Sequence, residues 1–229
     1  MVNIVTKDNK VASVIIMGDS GAGKSESLEA LRKLGDDYIS DMTIIFDDMG
    51  VVKMDGDNKP LGYGTEIGAF VRLDDLDTGY AFRQIDRSIF MNPDKINARL
   101  VIPVATYEEI TTGYPIDLFL YANNYEKGEE LEFFKSADKA LTVFKDGARM
   151  AKGTTTEEGL VKSYFANPFG PVQKEKEMDI LLPRYFDKFF ETGVKVGQIR
   201  TCLGITGMEK SGPLKAAVKL LDVIKSLKV

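Results

Sequence analysis

Gly18-Asp19-Ser20-Gly21-Ala22-Gly23-Lys24-Ser25 fits the pattern G-x-x-x-x-G-K-[ST] in full. The apolar run Val11-Ala12-Ser13-Val14-Ile15-Ile16-Met17 before it reads as a buried strand. Glu26-Ser27-Leu28-Glu29-Ala30-Leu31-Arg32 after it reads as a helix. This strand–loop–helix order is what a phosphate-binding loop (Walker A, or P-loop) requires. Glycines 18, 21 and 23 let the backbone curl until successive N–H groups point inward at phosphate oxygens. The opening turn of the helix adds its partial positive charge. Asp19, Ser20, Gly21, Ala22 and Gly23 would form the cradle. Lys24 would reach the β- and γ-phosphates, and the Ser25 hydroxyl would ligate Mg2+. The plainer alternative is a glycine-rich strand-to-helix turn without a ligand. The full motif and its flanks favour nucleotide phosphate.

With 229 residues and 44% hydrophobic content the chain can bury a large core. A net charge of −5 and no basic cluster argue against nucleic acid as a partner. The single cysteine, Cys202, excludes an intramolecular disulfide and fits a reducing, cytoplasmic setting. No apolar stretch approaches a membrane span, and the amino terminus lacks a signal-peptide pattern. The chain holds no histidine. That removes a Ser-His-Asp triad, a Cys-His pair and any imidazole metal ligand from this chain. A general base here must be Asp, Glu, Lys or Tyr.

Along the chain, Met42–Phe46 reads as a second buried strand ending at Asp47-Asp48, and residues 53–62 as a turn-rich break. Short strands are expected at Ala69–Leu73 and Ala98–Val104, and a strongly apolar one at Ile116–Tyr121. Glu129–Phe144 has helical spacing, residues 147–159 read as a loop, and Met178–Thr192 as an amphipathic helix. Val196–Leu203 reads as a strand and Pro213–Leu227 as a closing helix with proline in its first turn. No repeat or linker divides the sequence, so a single nucleotide-binding domain over 1–229 is expected.

Asp47-Asp48 follows an apolar strand downstream of the loop. A carboxylate at a strand tip beside the loop suits a phosphate-bound cation, since Mg2+ takes hard oxygen ligands. The alternative is a solvated acidic turn.

The loop, Asp47-Asp48, Glu66–Arg72 (Glu-Ile-Gly-Ala-Phe-Val-Arg) and Asn97–Pro103 (Asn-Ala-Arg-Leu-Val-Ile-Pro) follow one another along the chain. In these segments and their order the chain resembles the family of ATP-dependent phosphoenolpyruvate carboxykinases. Phe119–Asn124 is similar to its strand ending in Thr-Ala-Asp-Ala. Lys152–Gly159 is similar to its Ala-Gly-Thr-Glu-Arg-Gly loop, and Asn167–Gly170 to its Ala-Cys-Phe-Gly turn. The resemblance implies an α/β fold: a P-loop-containing mixed sheet with flanking helices, of the carboxykinase C-terminal-domain type. It also implies ATP (or GTP) with Mg2+, and Mn2+ as a further cation. Lys24, Glu66 and Arg99 would be catalytic, Arg72 would contact nucleotide phosphate, and Ser25, Asp47 and Asp48 would serve the metals. Completed by the family's preceding domain, the protein would bind a dicarboxylate and turn oxaloacetate and ATP into phosphoenolpyruvate, ADP and CO2, as a lyase and kinase in one.

The chain departs from that pattern in several places. It corresponds to the family's second half, so the isolated chain is expected to be inactive. Met49 stands where an acidic residue is expected, and Arg72 replaces a lysine. Ser211 and Ala217 stand where an arginine and a threonine surround the adenine, and Glu158 replaces an arginine. Gly23-Lys24-Ser25-Glu26 is also similar to the HPr kinase/phosphorylase loop, although that family's histidine and Gly-rich segment are missing. A serine kinase of that type, or a nucleotide-binding module without catalysis, are the alternative readings.

Overall fold

The computed structural model describes residues 1–72, 89–91, 99–151, 158–167 and 170–227, the side chains of residues 71, 72, 90, 91 and 99 excepted. Leu73, Asn97, Ala98, the stretch 152–157, Pro168 and Phe169, all used in the sequence reading, lie outside the described residues. The chain forms a mixed α/β structure in two compact units, each assembled from two separate stretches.

The first unit comprises Met1–Ser13 and Ser40–Ile116. It holds β1 (Val2–Thr6), the opening residues of β2 (Val11–Met17), and most of β3 (Ile39–Ile44). The structure moves the expected strand Met42–Phe46 toward the amino end. β3 stops at Ile44, the one buried residue of the strand, and Ser40 and Asp41 are exposed. Ile45 is nonetheless fully buried, its N–H donating to the Met1 carbonyl.

The expected break at 53–62 is a hairpin. β4 (Gly50–Met54) pairs antiparallel with β5 (Pro60–Gly64), which also pairs with β9 (Tyr114–Pro115). The break itself narrows to Asp55–Lys59, where Asp55 Oδ1 accepts from the N–H groups of Asp57 and Lys59. A second sheet runs β6 (Gly68–Arg72), β8 (Arg99–Pro103), β7 (Ile89–Met91), all antiparallel. Its register sets the backbones of Arg72 and Arg99 opposite one another. The short helix α2 (Tyr107–Thr111) starts from a reciprocal cap, Thr106 accepting from the Glu109 N–H while the Glu109 carboxylate accepts from the Thr106 N–H.

The second unit comprises Val14–Ile39 and Asp117–Val229. Its mixed sheet has the order β11 (Leu131–Phe133), β14 (Lys195–Arg200), β10 (Leu118–Asn123), β2. β2, β10 and β14 are parallel, and β11 runs antiparallel on the edge. Every residue of β10 is buried, as a central parallel strand covered on both faces demands. Phe119 and Tyr121, on one face of β10, meet Phe144 of α3 (Ala137–Asp146). Phe186 and Phe189 of α5 (Glu175–Glu191) complete this aromatic cluster. Pro183 inside α5 cannot donate to the Asp179 carbonyl one turn earlier. α1 (Lys24–Leu34) packs against α6 (Ser211–Ser226), with Leu31, Leu220 and Ile224 buried and the Lys225 ammonium 4.7 Å from the Tyr38 ring centre.

Two expectations for this unit change. Glu129–Phe144 is not one helix: Leu131–Phe133 pairs with β14, and helix begins only at Ala137 beyond Ser136. The spacing misleads because Leu131 and Phe134 stand three apart, as on a helix face, while Leu131 and Phe133 alternate as a strand does. Residues 147–159 are not all loop, since β12 (Ala148–Met150) pairs with β13 (Leu160–Lys162). A single 3-10 turn (Tyr164–Ala166) and α4 (Gly170–Gln173) lead into α5. Among the described residues no helix is long and apolar enough to cross a membrane.

Candidate phosphate-binding site

The parallel direction of β2, β10 and β14 brings their carboxyl ends, Met17, Asn123 and Arg200, to one edge of the sheet. Loops at such an edge are where open α/β sheets bind ligands. The stretch Gly18–Gly23 leaves β2 there and turns into α1 at Lys24.

Two glycines carry the turn. Gly21 has φ 76° and Gly23 φ 89°, values that residues with a Cβ rarely adopt. Gly23 also has no room for one, since a Cβ there would lie 2.6 Å from the Thr201 side chain. No side chain caps α1, and the first N–H groups of a helix have no intrahelical carbonyl to bond. Lys24 folds back over the loop, its ammonium donating to the Gly18 carbonyl at 2.7 Å and the Asp19 carbonyl at 3.0 Å. Ser20, Gly21, Ser25 and Glu26 are exposed, so the mouth of the loop opens to solvent.

Residues far along the chain hold the loop's outer side. Thr201, fully buried just past β14, donates its hydroxyl to the Ala22 carbonyl at 2.7 Å. Asn124, just past β10, donates its amide to the carbonyls of Gly21 and Met150, both at 3.0 Å. Its Oδ1 accepts from the Met150 N–H. The buried Arg149 donates Nε to Asp19 Oδ2 at 2.8 Å, and Asp19 Oδ1 accepts from the Ser20 N–H. These contacts occupy the carbonyls of Gly21 and Ala22, and within the loop the Ala22 N–H donates to the Asp19 carbonyl at 3.1 Å.

The structure places Asp19, Ser20, Gly21, Ala22, Gly23, Lys24 and Ser25 where β2 turns into α1. It adds Asn124, Arg149 and Thr201, which sequence reasoning does not single out as site residues. Of these, Asn124 carries a usable signal, standing with Asn123 at the end of the apolar run Leu118–Ala122.

The remaining predicted residues belong to the first unit. Asp47 and Asp48 follow β3, and Asp48 has φ 127°, a backbone value costly for a side chain other than glycine. Glu66 lies close enough to feel both. Its carboxyl is held above the usual range, chiefly by burial and then by the charge of Asp48, with Asp47 adding to it and the Met49 N–H opposing. Arg72 and Arg99 are placed by backbone register alone, at the ends of β6 and β8. Among the described residues no three Asp, Glu, Cys or His side chains are grouped to hold a metal by themselves.

No family model matches the chain, and no curated protein matches it in sequence. The geometry carries the functional reading.

Proposed function

We propose that this chain binds a nucleoside triphosphate, ATP or GTP, through Gly18–Ser25, and that the bound nucleotide serves phosphoryl transfer of the phosphoenolpyruvate carboxykinase kind. One observation carries the reading: a full G-x-x-x-x-G-K-[ST] sequence is folded as a left-handed turn at two glycines into an uncapped helix, with Lys24 arched across it. In this reading the loop amides and Lys24 hold the β- and γ-phosphates and offset their charge. Binding replaces the Lys24 bonds to the Gly18 and Asp19 carbonyls by bonds to phosphate oxygen.

The residues fit Mg2+ in one respect. Ser25 is exposed on the first turn of α1 and offers the hard oxygen such an ion takes, most of its other ligands being phosphate oxygens and water. Mg2+ would supply charge neutralisation of the phosphates. Asp47 and Asp48 as further ligands, Glu66 as a site carboxylate, and Arg72 and Arg99 as phosphate contacts belong to the same proposal through the family resemblance.

Calorimetric titration with Mg-ATP, Mg-GTP and pyrophosphate tests it. Binding of at least one at sub-millimolar concentration is expected. No binding of any at millimolar concentration would end the proposal. A coupled assay for phosphoenolpyruvate formed from oxaloacetate and ATP is expected to stay at background with the 229-residue chain.

A further inference from the structure

Arg149 stands out because three separate contacts fix the short strand that bears it. Tyr121, fully buried in β10, donates its hydroxyl to the Ala148 carbonyl at 2.6 Å. On the other side Asn124 pairs with both the N–H and the carbonyl of Met150. Gly204 packs against Met150 so closely that a Cβ there would come within 2.5 Å of the Met150 Cβ. Arg149, between these clamped neighbours, is itself buried, with only 9% of its side chain exposed and 17% of that of Asp19. So much fixation of one guanidinium beside a phosphate loop asks for a reason.

The reason lies in Asp19. A carboxylate inside a loop meant for a multiply charged anion would repel that anion, and the partly dry surroundings would strengthen the repulsion. The Asp19 carboxylate also accepts from the Ser20 N–H, so it occupies one of the loop's own amides.

We infer that Arg149 is a positioning residue that neutralises the Asp19 carboxylate, so that the loop presents net positive charge to a polyphosphate. The inference rests on the loop being a phosphate site. It gives the buried pair a role distinct from stability, for which a buried ion pair is weak evidence in itself.

The two halves of the pair then have opposite effects on binding, which a purely structural brace would not show. Losing Arg149 leaves a bare carboxylate in the loop. Losing the Asp19 charge makes the loop one unit more positive. Pyrophosphate titration at low salt, with circular dichroism melting as the fold check, separates the cases for wild type, Arg149→Gln, Arg149→Lys, Asp19→Asn and the double variant Arg149→Gln/Asp19→Asn. Arg149→Gln is expected to weaken binding about tenfold or more. Asp19→Asn is expected to bind at least as tightly as wild type, Arg149→Lys to recover most of the loss, and the double variant to return to within about threefold of wild type. If Arg149→Gln melts below the assay temperature, Asp19→Asn decides alone, and a tenfold loss there overturns the inference. Equal weakening by Arg149→Gln and Asp19→Asn overturns it while leaving the phosphate site standing. Failure of wild type to bind pyrophosphate overturns both.

Discussion

Replacing Gly23 by alanine should damage the loop more than any other single methyl added to it. Two costs combine. At φ 89° an alanine pays about 1–2 kcal/mol for the left-handed backbone. Its Cβ would also stand 2.6 Å from both Cβ and Oγ1 of Thr201, closer than real contacts allow. Thr201 cannot easily yield, because it is fully buried and its hydroxyl is tied to the Ala22 carbonyl. Overpacking of this kind costs about 1–3 kcal/mol, for a total near 2–5 kcal/mol. In a chain of this size that lowers the melting temperature by about 4–20 °C. The chain has no tryptophan, so circular dichroism is the suitable readout. Gly56→Ala is the control, since nothing lies within 4 Å of a Cβ there and its φ is ordinary. It should change stability by no more than about 0.5 kcal/mol. A Gly23→Ala protein that melts within a degree of Gly56→Ala would refute the tight turn and its packing against Thr201.

Three further outcomes are expected. Lys24→Ala should weaken nucleotide or pyrophosphate binding by about 1.5–3 kcal/mol, the scale of a hydrogen bond to a charged group, measured by titration calorimetry. Glu66→Gln tests the acidic cluster through pH. Because the folded protein holds the Glu66 carboxyl above its ordinary pKa of 4.5, its contribution is favourable below that value and is lost as pH rises through the folded pKa. Glu66→Gln should therefore melt higher than wild type at pH 7 in metal-free buffer, with the gap closing below about pH 4.5, and a constant gap across that range would refute the reading. Phe144→Ala empties the centre of the aromatic cluster between β10, α3 and α5 and should cost about 3–5 kcal/mol in urea unfolding, whereas a loss under 1 kcal/mol would mean that the cluster repacks.

The first strand, loop and helix are legible in the sequence because every signal agrees there: β2 spans Val11–Met17 as its apolar run suggests, and α1 encloses the expected helical residues. Long elements elsewhere are found within a few residues, as α5, α6 and β10 show. Short strands are the ones missed. β1, β4, β5, β7, β9, β11, β12 and β13 have two to five residues each, too few for alternation to stand out, and pairing with a neighbouring strand is what makes them strands. The same reason hides half of the site. The inner lining of the loop is a contiguous motif, whereas its outer supports are isolated Asn, Arg and Thr residues whose meaning depends on which strand ends the sheet places side by side. Arg149 in particular lies in a segment whose glycine and threonine content reads as loop.

The distances along the chain between the loop and its supports have a consequence for biosynthesis. Asn124 lies 103 residues from Gly21, Arg149 lies 130 from Asp19, and Thr201 lies 179 from Ala22. The motif leaves the ribosome early, but the contact that fills the space behind Gly23 is made only after nearly all of the chain has been translated. Contacts of such high sequence separation form slowly. A nascent or truncated chain ending before Thr201 therefore carries the whole signature but lacks the contact behind Gly23. Polyphosphate affinity should arise at the last stage of folding, which makes it a sensitive reporter of whether a newly made molecule has been completed.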